Sequence, residues 1–178
     1  MFSRLKMLTV VSVLLAATTT TGATPAFAGI FNKSVAAPEF VGIDKWLNSE
    51  PLSMAQLRGK VVLVDFWTYT CINCINTLPY VKAWHQKYKD QGLVVIGVHT
   101  PEFPFERNTD NVKAAIKRFD LTYPVAQDNR YATWSAYNNQ YWPALYLIDK
   151  KGQVVYTHFG EGQYSQTEMT IKNLLAQP

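Results

Sequence analysis

Cys71 and Cys74 are the only two cysteines in a chain of 178 residues, and they stand three positions apart in Cys71-Ile72-Asn73-Cys74. Thiols at that spacing can close a structural bridge, supply half of a metal site, or cycle between dithiol and disulfide. A bridge enclosing only Ile72 and Asn73 removes little unfolded-chain entropy, so it makes a poor staple. The metal reading lacks its second half: there is no further C-x-x-C, and His85, His99 and His158 fall on separate predicted elements. No metal is expected, and redox cycling is the use that fits.

Cycling without refolding requires the two sulfurs to share a helix face. In a first helical turn, positions i and i+3 do so, with Cα atoms roughly 5 to 6 Å apart. Unpaired N–H groups and the helix dipole favour a thiolate there, so Cys71 is the predicted nucleophile. Cys74 is the predicted resolving thiol, which attacks the Cys71 sulfur of a mixed disulfide and frees the reduced substrate. Cys74 must first lose its proton. Asp65, six residues before Cys71 at the end of an apolar run, is the candidate acceptor because burial raises a carboxyl pKa. Its alternative reading is a structural aspartate satisfied by backbone N–H groups.

The elements that position these residues follow from the hydrophobic pattern. Val61 to Phe66 is an apolar run interrupted only by Asp65, as expected of a strand covered on both faces. A helix is predicted from about Cys71 to Lys89, with Ile75, Leu78, Val81, Trp84 and Tyr88 inward and a kink at Pro79. Leu93 to His99 reads as a second buried strand. Val112, Ala115, Ile116 and Phe119 mark an amphipathic helix with Thr109 as its expected cap. Tyr123 to Gln127 is a short predicted strand, and Asp128 is placed to cap a brief helix through Tyr137. Ala144 to Ile148 and Gln153 to His158 form a hairpin across Asp149-Lys150-Lys151-Gly152. Capping-box spacing at Ser53/Gln56 predicts a short helix, and at Ser165/Glu168 the start of the last helix. The sum is an α/β domain with a central mixed sheet flanked by helices.

Residues 1–28 read as an export signal: Arg4 and Lys6 precede the apolar run Met7 to Ala17, and Ala26-Phe27-Ala28 is a small-residue cleavage site. A tether over 29–37 and one domain over 38–178 are expected, in a periplasmic or other extracytoplasmic compartment. If the leader is retained it becomes a membrane anchor, although its apolar run is short of the roughly 20 residues a span needs. The formal charge of +4 falls to +2 once Arg4 and Lys6 leave with the leader, which argues against nucleic acid as a partner. With no third cysteine for a disulfide-linked dimer, a monomer is expected.

Val64-Asp65-Phe66-Trp67, Cys71-Ile72-Asn73-Cys74, Pro79 and Trp142-Pro143-Ala144 together resemble the thioredoxin superfamily. The ordered set WTYTCINC, HTPEF, YPVAQDN, YWPALYLIDKKG and FGEG resembles its TlpA-like group, and within it the DipZ-like branch, over about residues 38–178. The resemblance implies a thioredoxin-like fold with an N-terminal extension, and a cis Pro143 beside the cysteines, where the backbone of the preceding residue holds an extended substrate. Trp67, Tyr69 and Trp142, with Tyr141, would then form an aromatic rim for a peptide. Glu102 matches a position near the active face and is a candidate modulator, its alternative being a solvated loop acid. Ile72-Asn73 replaces the Gly-Pro of many thioredoxins, and Thr77 stands where several TlpA-like reductases carry a buried glutamate, which leaves the acid's role to Asp65.

No cofactor is implied beyond a redox-active Cys71–Cys74 disulfide. With no cation between the cysteines to stabilise the reduced form, the implied direction is reduction of protein disulfides. Electrons would come from a membrane donor of DsbD or CcdA type, and the acceptors would be apocytochrome c thiols, a methionine sulfoxide reductase or misoxidised proteins. Two alternatives stand beside this. Thr68 and Cys71 have the T-x-x-C spacing of a peroxiredoxin-type thiol peroxidase, though Val64 occupies the place of that motif's proline. The other is a peptide-binding module whose Cys71–Cys74 bridge is inert.

Overall fold

The computed structural model describes residues 35–178. The export signal expected over 1–28 and most of the tether lie outside the described residues. Among the described residues seven strands form one sheet: β1 (Val35–Ala36), β2 (Lys45–Leu47), β3 (Val61–Trp67), β4 (Leu93–His99), β5 (Val125–Gln127), β6 (Ala144–Ile148) and β7 (Gln153–Phe159). Among the described residues four α-helices accompany them: α1 (Ile72–Tyr88), α2 (Thr109–Phe119), α3 (Ala132–Ala136) and α4 (Tyr164–Leu175). The strand order is β1-β7-β6-β3-β4-β5-β2, parallel across β3, β4 and β5 and antiparallel elsewhere.

Strand β3 sits at the centre because all seven of its residues are buried, so both faces must be covered. Val61, Leu63 and Trp67 face α1, α2 and α4, together with Leu78, Val81, Trp84, Ile116 and Ile171. Val62, Val64 and Phe66 face the opposite layer, made by α3 and the segment before β3, with Met54, Leu57, Trp134 and Tyr137. Alternation along one strand therefore serves two cores. Asp65 lies on the first face and pairs across the parallel ladder with Gly97 of β4. Trp134 and Tyr137 are core residues packed edge-on against Phe66.

Several local expectations are corrected. Ser53 and Gln56 do make reciprocal bonds, Ser53 N to Gln56 Oε1 at 2.9 Å and Gln56 N to Ser53 Oγ at 3.3 Å, but they close a run of turns that ends at Gly59 with φ +81°. Helix α2 is capped by Asn108, whose side chain accepts from the Asp110 and Asn111 amides, while Thr109 donates to Gln127. Ser165 falls inside α4, which Gln163 precedes, and Glu168 instead accepts from Lys87 and Tyr88 of α1. Strand β5 begins after Pro124, which has no N–H to give to the ladder. Asp128 does satisfy the amides of Ala132, Thr133 and Trp134 at the head of α3. Strands β1 and β2, of two and three residues, carry too little pattern to be read locally, and they exist by pairing with β7 and β5.

Candidate active site

The site lies where the C-terminal ends of β3 and β4 meet the head of α1. Cys71 caps α1: its backbone is extended at φ −70°, ψ 112°, and its Sγ accepts from the Cys74 amide at 3.2 Å. Both cysteines are free thiols, Cys71 half-buried and Cys74 buried. The Cys74 thiol donates to the Cys71 sulfur, and with the Cys74 and Asn73 amides it brings Cys71 down to about 7 against the opposing effects of burial and the Glu102 charge. Burial, and the cost of giving up its proton beside Cys71, push Cys74 far the other way. One helix turn thus separates a thiol that ionises readily from one that stays protonated.

Asp65 is 1% exposed, and burial followed by the Cys71 charge raises its carboxyl to about 7. Its Oδ1 has no protein partner. That removes the reading of a strand-end carboxylate fully satisfied by backbone amides. A carboxyl with a pKa near 7 next to a buried thiol is suited to accept and return a proton near neutral pH.

The aromatic rim divides into wall and core. Trp67 is 0% exposed and belongs to the first core, so its assignment to substrate contact is corrected: its strand turns the indole inward beneath the helices. Tyr69 is half-buried, stacks on His99 at 5.6 Å and 14°, and donates its hydroxyl to the Phe105 carbonyl at 3.2 Å. The Trp142–Pro143 bond is cis. Trp142 is half-buried, held by a hydrogen bond from Nε1 to the Thr100 carbonyl at 3.1 Å and by packing on Trp134 at 4.1 Å. The more exposed apolar side chains flanking these positions are Ile72, between the cysteines, and Tyr141, which packs on exposed Phe159.

Glu102 is exposed in the loop after β4, and its charge opposes the Cys71 thiolate. The buried acid of that loop is Glu106, which sequence reasoning missed. It is 0% exposed and accepts from the Thr70 hydroxyl at 2.6 Å and from the amides of Glu102 at 2.6 Å and Phe103 at 3.0 Å. Burial alone would raise its carboxyl, but bonds from Thr70, Thr68 and the two amides outweigh it and hold the group below its ordinary value. Glu106 therefore ties the 101–107 loop to the turn that delivers Cys71. Glu106 is the third residue of a short 3-10 turn over Pro104–Arg107, and the signal for that turn was Pro104 at its first position. His99 closes the cluster: it is fully buried, its Nε2 lies 3.3 Å from the Thr68 hydroxyl, and burial pulls its pKa down to about 4.

Replacing Glu106 with alanine strands the Thr70 hydroxyl and two amides and is expected to cost about 3 kcal/mol. Denaturant unfolding at pH 7 checks this. Because the folded carboxyl is the more acidic, the wild-type advantage is complete above the ordinary value of 4.5 and shrinks as pH falls through the folded value.

Among the described residues no group of three or more His, Cys, Asp or Glu side chains could hold a metal ion, and no helix is long and apolar enough to cross a membrane. The redoxin family model matches residues 32–175. The chain belongs to the redoxin family. This redoxin is 52% identical over 142 residues to the protein DipZ of Mycobacterium tuberculosis, a match covering 78% of the chain and 20% of DipZ. The chain thus spans about a fifth of the length of that relative. It is 31% identical over 140 residues to the thiol-disulfide oxidoreductase YkuV of Bacillus subtilis, covering 79% of the chain and 94% of YkuV. The solution structure of a thioredoxin-like protein in its oxidised form superposes with a TM-score of 0.72 at 32% identity, covering 79% of this chain and 95% of that one. The fold is thioredoxin-like, and the resemblance to the TlpA-like and DipZ-like group stands.

Proposed function

We propose that this redoxin is an exported reductase of protein disulfides, with Cys71 as nucleophile, Cys74 as resolving thiol and Asp65 as proton acceptor. One observation carries the reading: a half-exposed thiol lowered to about 7 is bonded to a buried thiol raised far above it, beside a buried carboxyl near 7. The Cys71 thiolate attacks one sulfur of the substrate bridge, forming a mixed disulfide and expelling the other sulfur as a thiolate. Cys74 then gives its proton to Asp65 and attacks the Cys71 sulfur. The substrate leaves as two thiolates, which take their protons from water, and two electrons have passed from the cysteine pair, which is now a disulfide.

The reducing direction is supported by Ile72 and Asn73, neither of which places a cation over the thiolate. Restoring the dithiol requires an electron donor, for which a DsbD or CcdA-type membrane protein suits an exported enzyme, and the exported state itself rests on the leader over residues 1–28. The redoxin acts as a monomer that presents Tyr69 and Trp142, with Ile72 and Tyr141 beside them and the buried Pro143 next to Trp142 in the chain, to an extended segment of the substrate protein.

The peroxidase alternative asks Thr68 for a hydroxyl turned to the attacking sulfur. That hydroxyl is fully buried and occupied by His99 and Glu106, which disfavours it. The inert-bridge alternative is separated by measurement. Equilibration in dithiothreitol buffers is expected to place the couple nearer the thioredoxin value of about −270 mV than the roughly −120 mV of a strong oxidant. In the reduced protein, iodoacetamide should modify Cys71 alone with a midpoint near pH 7. A bridge that resists reduction to about −300 mV, or equal labelling of both thiols, sinks the proposal.

A further inference from the structure

The strands on either side of β3 build two walls around the Cys71 turn. Trp142 leads into β6 on one side, and the 101–107 loop follows β4 on the other. The second wall carries a pocket of about 280 Å³, lined by Tyr69, Phe105, Asn111, Ala114, Ala115 and Arg118. Two alanines stand where α2 passes Tyr69, so no long side chain of the helix fills the gap. The Tyr69 and Phe105 rings lie 6.4 Å apart, and the Phe105 carbonyl accepts from the Tyr69 hydroxyl at 3.2 Å and from Asn111 Nδ2 at 3.1 Å. Phe105 is 55% exposed and stacks at 5.7 Å and 2° on Phe103, itself 47% exposed. Glu106 bonds the loop that carries both rings to the turn before Cys71. Two large rings held in water on a fixed loop form a contact surface.

Arg118 closes the pocket. Its guanidinium lies 4.2 Å from the Phe119 ring centroid and gives one N–H to the Tyr69 carbonyl at 3.4 Å. A guanidinium has five N–H donors and no acceptor, so most of its donors remain unspent. Lys113 of the same helix is paired with Asp110, whereas among the described residues Arg118 has no acid partner. An apolar slot that ends in an unpaired guanidinium suits a side chain with a hydrocarbon stem and a carboxylate head.

We propose that this pocket is a specificity subsite for an acidic side chain of the substrate protein, whose stem lies between Tyr69 and Phe105 and whose carboxylate pairs with Arg118. Tyr69 stands two residues before Cys71, a span of at most about 7 Å in an extended chain, and the pocket lies just beyond it. The acidic residue therefore sits within about four positions of the substrate cysteine that Cys71 attacks. The proposal rests on the exchange reading above and adds to it the class of substrate segment that the site selects.

The test is reduction of a set of peptide disulfides that differ only in carrying Glu, Gln, Leu or Lys at the positions flanking the cysteines. The wild type should use the Glu peptide over the Lys peptide by on the order of tenfold in kcat/KM, the difference lying in KM. Salt at about 1 M should shrink the preference. Arg118→Glu should reverse the order, and Ala114→Leu, which fills the pocket with Arg118 still in place, should level it. Lys60→Glu makes the same change of charge on an exposed residue at the far end of β3 and should keep the wild-type order. A merely structural arginine predicts instead an equal loss on every peptide. Equal use of the Glu and Lys peptides by the wild type, an order unchanged in Arg118→Glu, a Leu preference that survives that substitution, or a preference lost in Lys60→Glu overturns the subsite alone. No turnover of any peptide by the wild type overturns the exchange reading, and the subsite falls with it.

Discussion

Cys71→Ser lowers kcat/KM for disulfide exchange by on the order of 10³-fold or more, because the attacking species is a thiolate and serine offers none at neutral pH. Cys74→Ser behaves differently. Its Cys71 still meets the backbone amides of positions 73 and 74 at the head of α1, so the first attack proceeds while the second cannot. A covalent adduct through Cys71 accumulates, visible as a mass increase that dithiothreitol removes. The Cys71 sulfur also loses the Cys74 thiol as its strongest stabilising donor, so its alkylation midpoint moves above 7 unless the serine hydroxyl takes that place. An adduct accumulating on Cys74 in Cys71→Ser with none on Cys71 in Cys74→Ser, or turnover surviving in Cys71→Ser, would reverse the assigned roles.

Asp65→Asn separates chemistry from stability. Loss of the proton acceptor should slow release of the mixed disulfide by about 10²-fold or more while leaving its formation near the wild-type rate. Stability should move the other way. The carboxyl titrates near 3.8 when unfolded and at about 7 when folded, so between these values the folded chain holds a proton that the unfolded chain has lost. Protonation therefore favours the fold, and wild-type stability falls as pH rises from about 4 to 7 and levels off above that. The penalty at pH 8 is on the order of 4 kcal/mol as an upper figure. Asparagine has no such penalty, so the variant should be the more stable protein at pH 8, with the gap closing toward pH 4. Urea unfolding at these two pH values decides the matter, and a variant less stable at pH 8 would show that Asp65 is held ionised by partners. A residue that costs stability where the enzyme is active is expected of a working acid–base group.

Much of this was legible along the chain because it depends on neighbours in sequence. The Cys71–Cys74 spacing placed both sulfurs on one helix turn, and the apolar run around Asp65 foretold a buried strand. The central strands and α1 follow the hydrophobic pattern closely. What failed locally were the caps. Ser165 and Glu168 have the right spacing, yet Glu168 bonds to Lys87 and Tyr88 across the fold. Thr109 likewise turns to Gln127. A side-chain oxygen goes to the partner that tertiary packing brings nearest, and spacing alone does not record that partner.

The sequence by itself determined where the candidate chemistry lies: two thiols at the head of a helix, one acid on the preceding strand, and the strand pattern that buries it. The tertiary structure alone decided which acids are buried, choosing Glu106 over Glu102, which aromatic residue is core, taking Trp67 inward, and which groups surround Asp65. The difference is physical. Thiol pairing and strand burial depend on periodicity within one element, whereas desolvation and hydrogen-bond satisfaction depend on atoms from β3, β4, α1 and the loops that meet only after folding.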